Sequence, residues 1–424
     1  MNKIDIIAAS SLLFISLASC ERNKELASWN VGPLEEYTVT PINGGATITY
    51  AIPDDPEILY IMAEYERNGK TFTEKSSVHK NSLTIEGFNS TMPVKANLYK
   101  VNKHEQRSAP LSIEFTPLES LVSIAKNSLK IKATFGGVYA TWDNPSGTEL
   151  GVRLMANNKD KNNELETQTV YFSSLGKGKY AFRGFENEER EFAIAFEDKW
   201  GNTSDTVRLM TTPLFEKVIE KPYADFRSSI PYDNTTDLDS RYSLSHLWDN
   251  QGNVSFNGWL TKSGSSGRSF TIDLKKVVKL SRIVTHPYNH DQPYWQVNIT
   301  GYELWGTDKI DYELLKDKPY WLDEESVREG GILDVNPTTA LPEHTFKDDW
   351  QYLGLHMWPD YRAVKADERA FAANGAEFDL PEEANPVRYL RFFVRQVVML
   401  PVATNNYFSL GEITLYGDDN VPQY

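Results

Sequence analysis

Cys20 is the only cysteine of the 424-residue chain, and its setting is the first that points to chemistry. Lys3 is followed by Ile4, Asp5 and Ile6, then by an apolar run through Leu12, Leu13, Phe14 and Ile15, and by Leu17-Ala18-Ser19-Cys20. This is the form of a bacterial lipoprotein cleavage box. Small residues fit a peptidase cleft and the thiol is acylated, leaving Cys20 as a lipidated first residue. The apolar run is too short to be a comfortable spanning helix. The alternative is a plain secretory signal ending in an idle thiol. The lipid reading predicts a protein tethered outside the inner membrane by lipid alone.

Other chemistry is harder to find. No nucleophile elbow, zinc-protease helix motif or phosphate loop occurs in the sequence. Among 59 acidic residues, paired carboxylates are too common to argue for a glycosidase by themselves. His286 and His290 invite a zinc reading, but Pro287 breaks any helix that would place both on one face. A formal net charge of −15 argues against nucleic acid and against an anionic membrane surface as partners. With one cysteine there is no internal disulfide, so stability must come from apolar packing or bound ions.

The elements that would position a site are strands. Gly44-Gly45 through Pro53 aligns without a gap on Gly136-Gly137 through Pro145, 92 positions later. Gly87-Phe88 answers Gly184-Phe185, and Thr116-Pro117-Leu118 answers Thr212-Pro213-Leu214, so a whole domain repeats. Val94, Ala96 and Leu98, and likewise Phe192, Ile194 and Phe196, carry the two-residue period of a strand. Asn68-Gly69 marks a hairpin turn. Units of about 90 to 100 residues with such strands predict small β-sandwiches, with Tyr50 and Trp142 as core aromatics. From Leu214 to Asn234, Lys217, Glu220, Lys221, Pro222 and Pro231 interrupt the alternation, which predicts a linker.

The second unit resembles a fibronectin type III domain, with Trp142 before Asn144-Pro145 and the Phe192 to Asp198 strand leading into Trp200-Gly201-Asn202. Both units are similar to sandwich modules in lipoproteins of glycan-scavenging Gram-negative gut bacteria. Beyond them, seven of the ten tryptophans and five of the seven histidines lie past residue 240. His246-Leu247-Trp248-Asp249-Asn250, Phe270 to Leu274 with Val277 to Ile283, Tyr302 to Thr307, Val387 to Phe393 and Leu410 to Gly417 follow in order. Together these resemble a coagulation factor five/eight type C domain, or discoidin, with a galactose-binding-like jelly roll. The expected class is therefore all-β: two tandem Ig/fibronectin-like β-sandwiches followed by that jelly roll. The layout is a signal peptide at 1–20, a tether at 21–31, sandwiches at 32–117 and 118–213, a linker at 214–234, the jelly roll at 235–418 and a tail at 419–424.

The resemblance implies two sites. Asp249, Asn250 and Glu412 fall where the family can hold one structural calcium ion, which takes six to eight oxygens; solvated or hydrogen-bonded carboxylates are the alternative. Sugars in the family lie at one end of the jelly roll, stacked on an aromatic ring and bonded through their hydroxyls. His286, Tyr288, Asn289, His290, Tyr294 and Trp295 make the leading ligand loop, followed by Trp358 with Arg362 and by Asn406 with Tyr407. Trp295 and Trp358 have core packing or loop anchoring as their alternative. The expected function is non-catalytic capture of poly- or oligosaccharide by an outer-membrane lipoprotein facing the cell surface, beside a glycan importer. A scaffold or adhesion protein for a protein or cell-wall partner is the alternative.

Overall fold

The computed structural model describes residues 29–51, 54–158, 161–233, 235–262, 269–294, 297–322, 341–398 and 407–422. Cys20, Trp295 and Asn406 lie outside them. The chain falls into two compact units, one holding the described residues up to Ile124 with Asp198–Ser204, the other Ala125–Glu197 with Asp205 onward.

The first sandwich comprises β1 (Tyr37–Ile42), β2 (Gly45–Tyr50), β3 (Ile58–Arg67), β4 (Lys70–Ser77), β5 (Ser82–Glu86), β6 (Val94–Asn102) and β7 (Leu111–Phe115). Its sheets run β1-β2-β5 and β4-β3-β6-β7. Ile48 and Tyr50 of the first share one core with Ile61, Tyr65, Ala96 and Leu98 of the second. Asn68 and Gly69 both take positive φ, 50° and 72°, and close the β3–β4 hairpin with Arg67 opposite Lys70. That is the twist-matched two-residue turn their types predict.

After helix α1 (Leu121–Ser128), a second set repeats the plan: β8 (Lys130–Thr134), β9 (Gly137–Asp143), β10 (Leu150–Asn158), β11 (Glu164–Ser173), β12 (Lys177–Phe182), β13 (Arg190–Asp198) and β14 (Val207–Thr211). Its sheets, β12-β9-β8 and β11-β10-β13-β14, match the first strand for strand. The repeated sequence landmarks have one physical cause. Gly44 and Gly136 sit at φ 66° and 65°, where a side chain is strained. A Cβ on the following glycine would lie 2.0 Å from the Ile85 carbonyl oxygen at Gly45 and 1.8 Å from that of Phe182 at Gly137. Gly44 N–H donates to Leu118 O, and Gly136 N–H to Leu214 O, which explains why the distant Thr-Pro-Leu returns in register.

The third sandwich holds β15 (Lys217–Val218), β16 (Ala224–Asp225), β17 (Trp259–Leu260), β18 (Ser269–His286), β19 (Ile299–Thr307) and β20 (Gln351–Met357). It continues with β21 (Ala376–Asp379), β22 (Val387–Val397), β23 (Ser409–Leu410) and β24 (Glu412–Asp418), and with short helices α2 (Phe346–Asp349), α3 (Tyr361–Val364) and α4 (Glu368–Asn374). The 18-residue β18 belongs to both sheets. Its first half pairs with β16 and β22, its second with β24 and β21. The register slips between Asp273 and Val278, where Lys275 takes φ 66° and donates its N–H to Asp273 Oδ1 at 2.7 Å. The main core lies between the sheets, with Phe270, Ile272, Leu304, Leu390, Phe392 and Ile413 in it.

Residues 217–225, within the stretch expected as a linker, instead belong to this sandwich. β15 and β16 extend its sheets, and Ile219 and Tyr223 enter its core. Two-residue strands are too short to show a period. Glu216 then ties the second sandwich to the third: its buried carboxylate takes Arg183 and Arg282 at 3.1 Å each, and Arg183 also reaches Asp379. Those two sandwiches form one unit.

The alternation of Leu390, Phe392 and Val394 with Arg391, Phe393 and Arg395 is that of a strand in a two-sheet sandwich. Here both faces are covered over much of its length. Tyr389 and Phe393 pack under Ile230, Tyr320, Trp321, Phe346 and Trp350, a second aromatic core supplied by segments flanking β16 and lying between β19 and β20. Arg391 is fully buried there, its Nη2 3.0 Å from Asp233 Oδ1, with its guanidinium 4.5 Å from the Phe346 ring centre and 5.1 Å from that of Trp321. Ser269 and Thr271 hydroxyls donate to the same Asp233 carboxylate. Asp233→Ala leaves a buried arginine uncompensated and is expected to cost about 3–5 kcal/mol. A urea titration followed by tryptophan fluorescence reads it, and Asp233→Leu combined with Arg391→Met should lose less than the single change, because no buried charge remains.

Candidate functional site

One end of the three strands paired in the order β22-β19-β20 carries a cavity of about 700 Å³. The start of β19 brings Thr300, the end of β22 brings Gln396 and Val398, and the residues after β20 bring Trp358, Pro359, Asp360 and Tyr361. The loop after β18 adds Gln292 and Tyr294, and α4 adds Glu368. Antiparallel pairing of β19 with both neighbours gathers these ends at one edge.

The cavity is built on an aromatic cluster. Tyr294 packs at 5.8 Å from Trp358, 5.5 Å from Tyr361 and 5.7 Å from Phe371, centre to centre. Trp358 is 6% exposed, and its indole N–H donates to Thr285 Oγ1 at 3.1 Å. It thus anchors the loop to the core and lines the cavity as well. Tyr294 is fixed by its hydroxyl, which donates to Pro359 O at 2.5 Å. Tyr361 is exposed. Asp360 caps α3, accepting from Arg362 N–H at 2.8 Å. A hydrogen bond to Glu368 pushes the Tyr361 phenol up. Burial, then the charges of Asp360 and Glu368, pushes Tyr294 up to about 12.

Of the expected ligand residues, Tyr294 and Trp358 line this cavity, and the rest of the leading loop does not. Tyr288 is buried against Tyr242 and Phe256. Asn289 Oδ1 accepts from the Asp291 and Gln292 N–H groups, turning the chain. His286 and His290 point inward toward Gly252, Glu412 and each other. Arg362 and Tyr407 are exposed but outside the lining, and Trp295 and Asn406 fall outside the described residues. Sequence reasoning missed Gln292, Thr300, Pro359, Asp360, Tyr361, Glu368, Gln396 and Val398 as lining residues, although Gln292 sits within the leading loop and Pro359, Asp360 and Tyr361 within the second. It also missed Asn298, whose amide accepts from Tyr288 N–H and donates to Pro293 O, holding the loop's shape.

The expected closeness of the Asp249 turn and Glu412 is present: a Cβ on Gly252 would lie 2.9 Å from Glu412 Oε2. The cation on Glu412 is the chain's own. The Lys221 ammonium pairs with the buried Glu412 carboxylate and reaches Thr414 Oγ1 at 3.3 Å. Asp249 is taken up by His246 Nδ1, Asn257 Nδ2 and Gln251 N–H, each at 2.9 Å. Asn250 is at φ 64° in the turn. Among the described residues no three His, Cys, Asp or Glu converge on a metal position. An ammonium already seated on Glu412 repels a divalent ion beside it, so this donor set does not fit calcium.

Burial, aided by the His290 charge and by Lys221, pushes His286 down to about 4, and burial does the same to His356 beneath Tyr302 and Phe378. Both are neutral when folded near pH 7. As pH falls below about 6.5 the unfolded chain binds their protons first, so stability falls between about 6.5 and 4 by on the order of 3 kcal/mol for each histidine. Urea midpoints measured across that range check this. His286→Gln should flatten the part of the slope above the carboxylate range.

Three families match the chain: a domain of unknown function (DUF4959) over residues 31–117, a domain of unknown function (DUF5126) over 118–222, and a further domain of unknown function, DUF5000, over 248–417. No curated protein matches it. Among solved structures, a SusE-like protein is 17% identical, with 70% of this chain and 98% of that one covered and a TM-score of 0.36. A two-domain fibronectin type III segment of chicken tenascin is 12% identical, covering 42% and 98%, with a TM-score of 0.21. A fragment of a putative chitobiase from Bacteroides thetaiotaomicron is 13% identical, covering 49% and 91%, with a TM-score of 0.24.

Proposed function

We propose that this chain is a non-catalytic cell-envelope lipoprotein that captures carbohydrate through a discoidin-like third sandwich. On this reading lipid at Cys20 holds it at the outer membrane, facing the cell surface. The first two sandwiches space the binding end from the membrane, and captured poly- or oligosaccharide passes to a neighbouring importer. The observation that carries the reading is the cavity at the loop end of the sheet. Its volume of about 700 Å³ is in the range of small-molecule sites. Its lining combines aromatic surface from Tyr294, Trp358 and Tyr361 with the amides of Gln292 and Gln396 and two carboxylates. Pyranose rings call for that mixture, an apolar face to stack on and polar groups for the hydroxyls.

The two carboxylates support binding over hydrolysis. Glycoside hydrolysis needs one carboxyl on each side of the scissile bond. Asp360 and Glu368 leave the same short stretch of chain, and each is engaged, one as a helix cap and the other with Tyr361. The second reading, a protein partner, draws on Tyr352, Leu355 and Met357, which are exposed on the edge strand β20.

A glycan array followed by calorimetry tests the first reading. Tyr361→Ala is expected to weaken sugar binding about tenfold or more, as loss of a stacking ring does, with little change in Tm because the ring is exposed. Trp358→Ala should lower both, by about 3–5 kcal/mol in stability. Silence of the whole array moves the weight to the protein-partner reading. Calcium and a chelator should leave Tm and binding unchanged, whereas Lys221→Met strips Glu412 of its partner and should lower stability by about 3–5 kcal/mol.

A further inference from the structure

Resting on the carbohydrate reading of the cavity, we infer that the site selects uncharged glycans and rejects chains bearing uronate or sulfate, with Asp360 and Glu368 as the residues that set this preference. Asp360 and Glu368 are the two side chains of the described lining that carry charge near pH 7, and both are carboxylates. Asp360 is exposed, and Glu368 is half-buried beside the exposed Tyr361 ring. Their charges act on the Tyr294 hydroxyl. Three cations flank the same stretch without lining the cavity. Arg369 faces Asp291 at 3.5 Å, the Lys365 ammonium stands 5.9 Å from the Tyr361 ring centre, and Arg362 is exposed.

The physical consequence is direct. A neutral sugar can donate its hydroxyls to both carboxylates, gaining charge-assisted hydrogen bonds. A carboxylate or sulfate on the ring meets two like charges in a partly desolvated cavity, where repulsion is screened less than in open solvent. Like-charge juxtaposition of this kind is how binding sites exclude wrong partners.

The test uses the full chain and calorimetry. Neutral probes are cello-, manno-, xylo- and galacto-oligosaccharides; anionic probes are oligogalacturonates and sulfated chondroitin oligosaccharides of matched length. The expected result is at least about a tenfold preference for a neutral probe, narrowed when salt is raised from about 0.05 M to about 0.5 M. Asp360→Asn with Glu368→Gln should bring the two classes to within about threefold. An anionic probe that binds as tightly as any neutral one, and whose binding Tyr361→Ala abolishes, overturns this inference and leaves the carbohydrate reading standing. A preference unchanged in the double variant removes Asp360 and Glu368 from the role. No binding by either class overturns the carbohydrate reading of the cavity and this inference with it.

Discussion

The buried pair of Arg391 and Asp233 is the constraint around which the third sandwich is arranged. A guanidinium with no solvent exposure is tolerable only where its charge is matched and its faces are covered. Asp233 supplies the charge, Ser269 and Thr271 occupy the remaining oxygen positions, and Phe346, Trp321 and Phe393 supply the faces. Satisfying one side chain therefore requires residues from four separate stretches of chain. The residues after β16 around Ile230, and Tyr320, Trp321, Phe346 and Trp350 from between β19 and β20, pack together on the outer face of the sheet. That closes a second aromatic core, and β22 is left with dry packing on either side.

A sheet held from both sides gives the cavity a rigid floor. β19 and β22 end together at the cavity, and their pairing fixes Thr300 against Gln396 and Val398 without help from a ligand. The wall is held by side chains and not by strand pairing. Tyr361 and Glu368 belong to short helices whose hold on the sheet runs through Trp358, Tyr294 and Phe371. Rigid backbone below and exposed aromatic above is the division that binding sites need, since preorganised groups lose less freedom when a ligand arrives.

The sequence disclosed the fold far better than the site. The duplicated glycines were readable because each sits where a Cβ cannot, and the Asn68-Gly69 turn because only such residues take two successive positive φ angles. In the third sandwich, Phe270 to Leu274 and Val277 to Ile283, two runs of one motif, lie on a single strand. What could not be read was direction at a distance. Nothing local says that Arg391 faces aromatics, that Tyr288 and His286 turn inward while Tyr294 turns to the cavity, or that Lys217–Val218 and Ala224–Asp225 are strands. Each depends on partners tens to hundreds of residues away. Composition alone marked the leading loop as a ligand site, and composition does not distinguish a side chain that binds from one that shapes the loop.

Lys221 shows how such a long-range substitution changes a site's chemistry. The motif around Asp249 and Glu412 carries the acidic residues that a cation would bridge, and the chain brings them together. The cation comes from a stretch that looked like a connector, 191 residues before Glu412. A covalently attached ammonium is present at unit stoichiometry and cannot be chelated. It also fastens the entry segment to the last strand pair, because β15 joins β24 only a few residues before Lys221 reaches Glu412. Charge neutralisation and chain closure are then one event, and the stability that a bound ion would otherwise supply from solution is built into the fold.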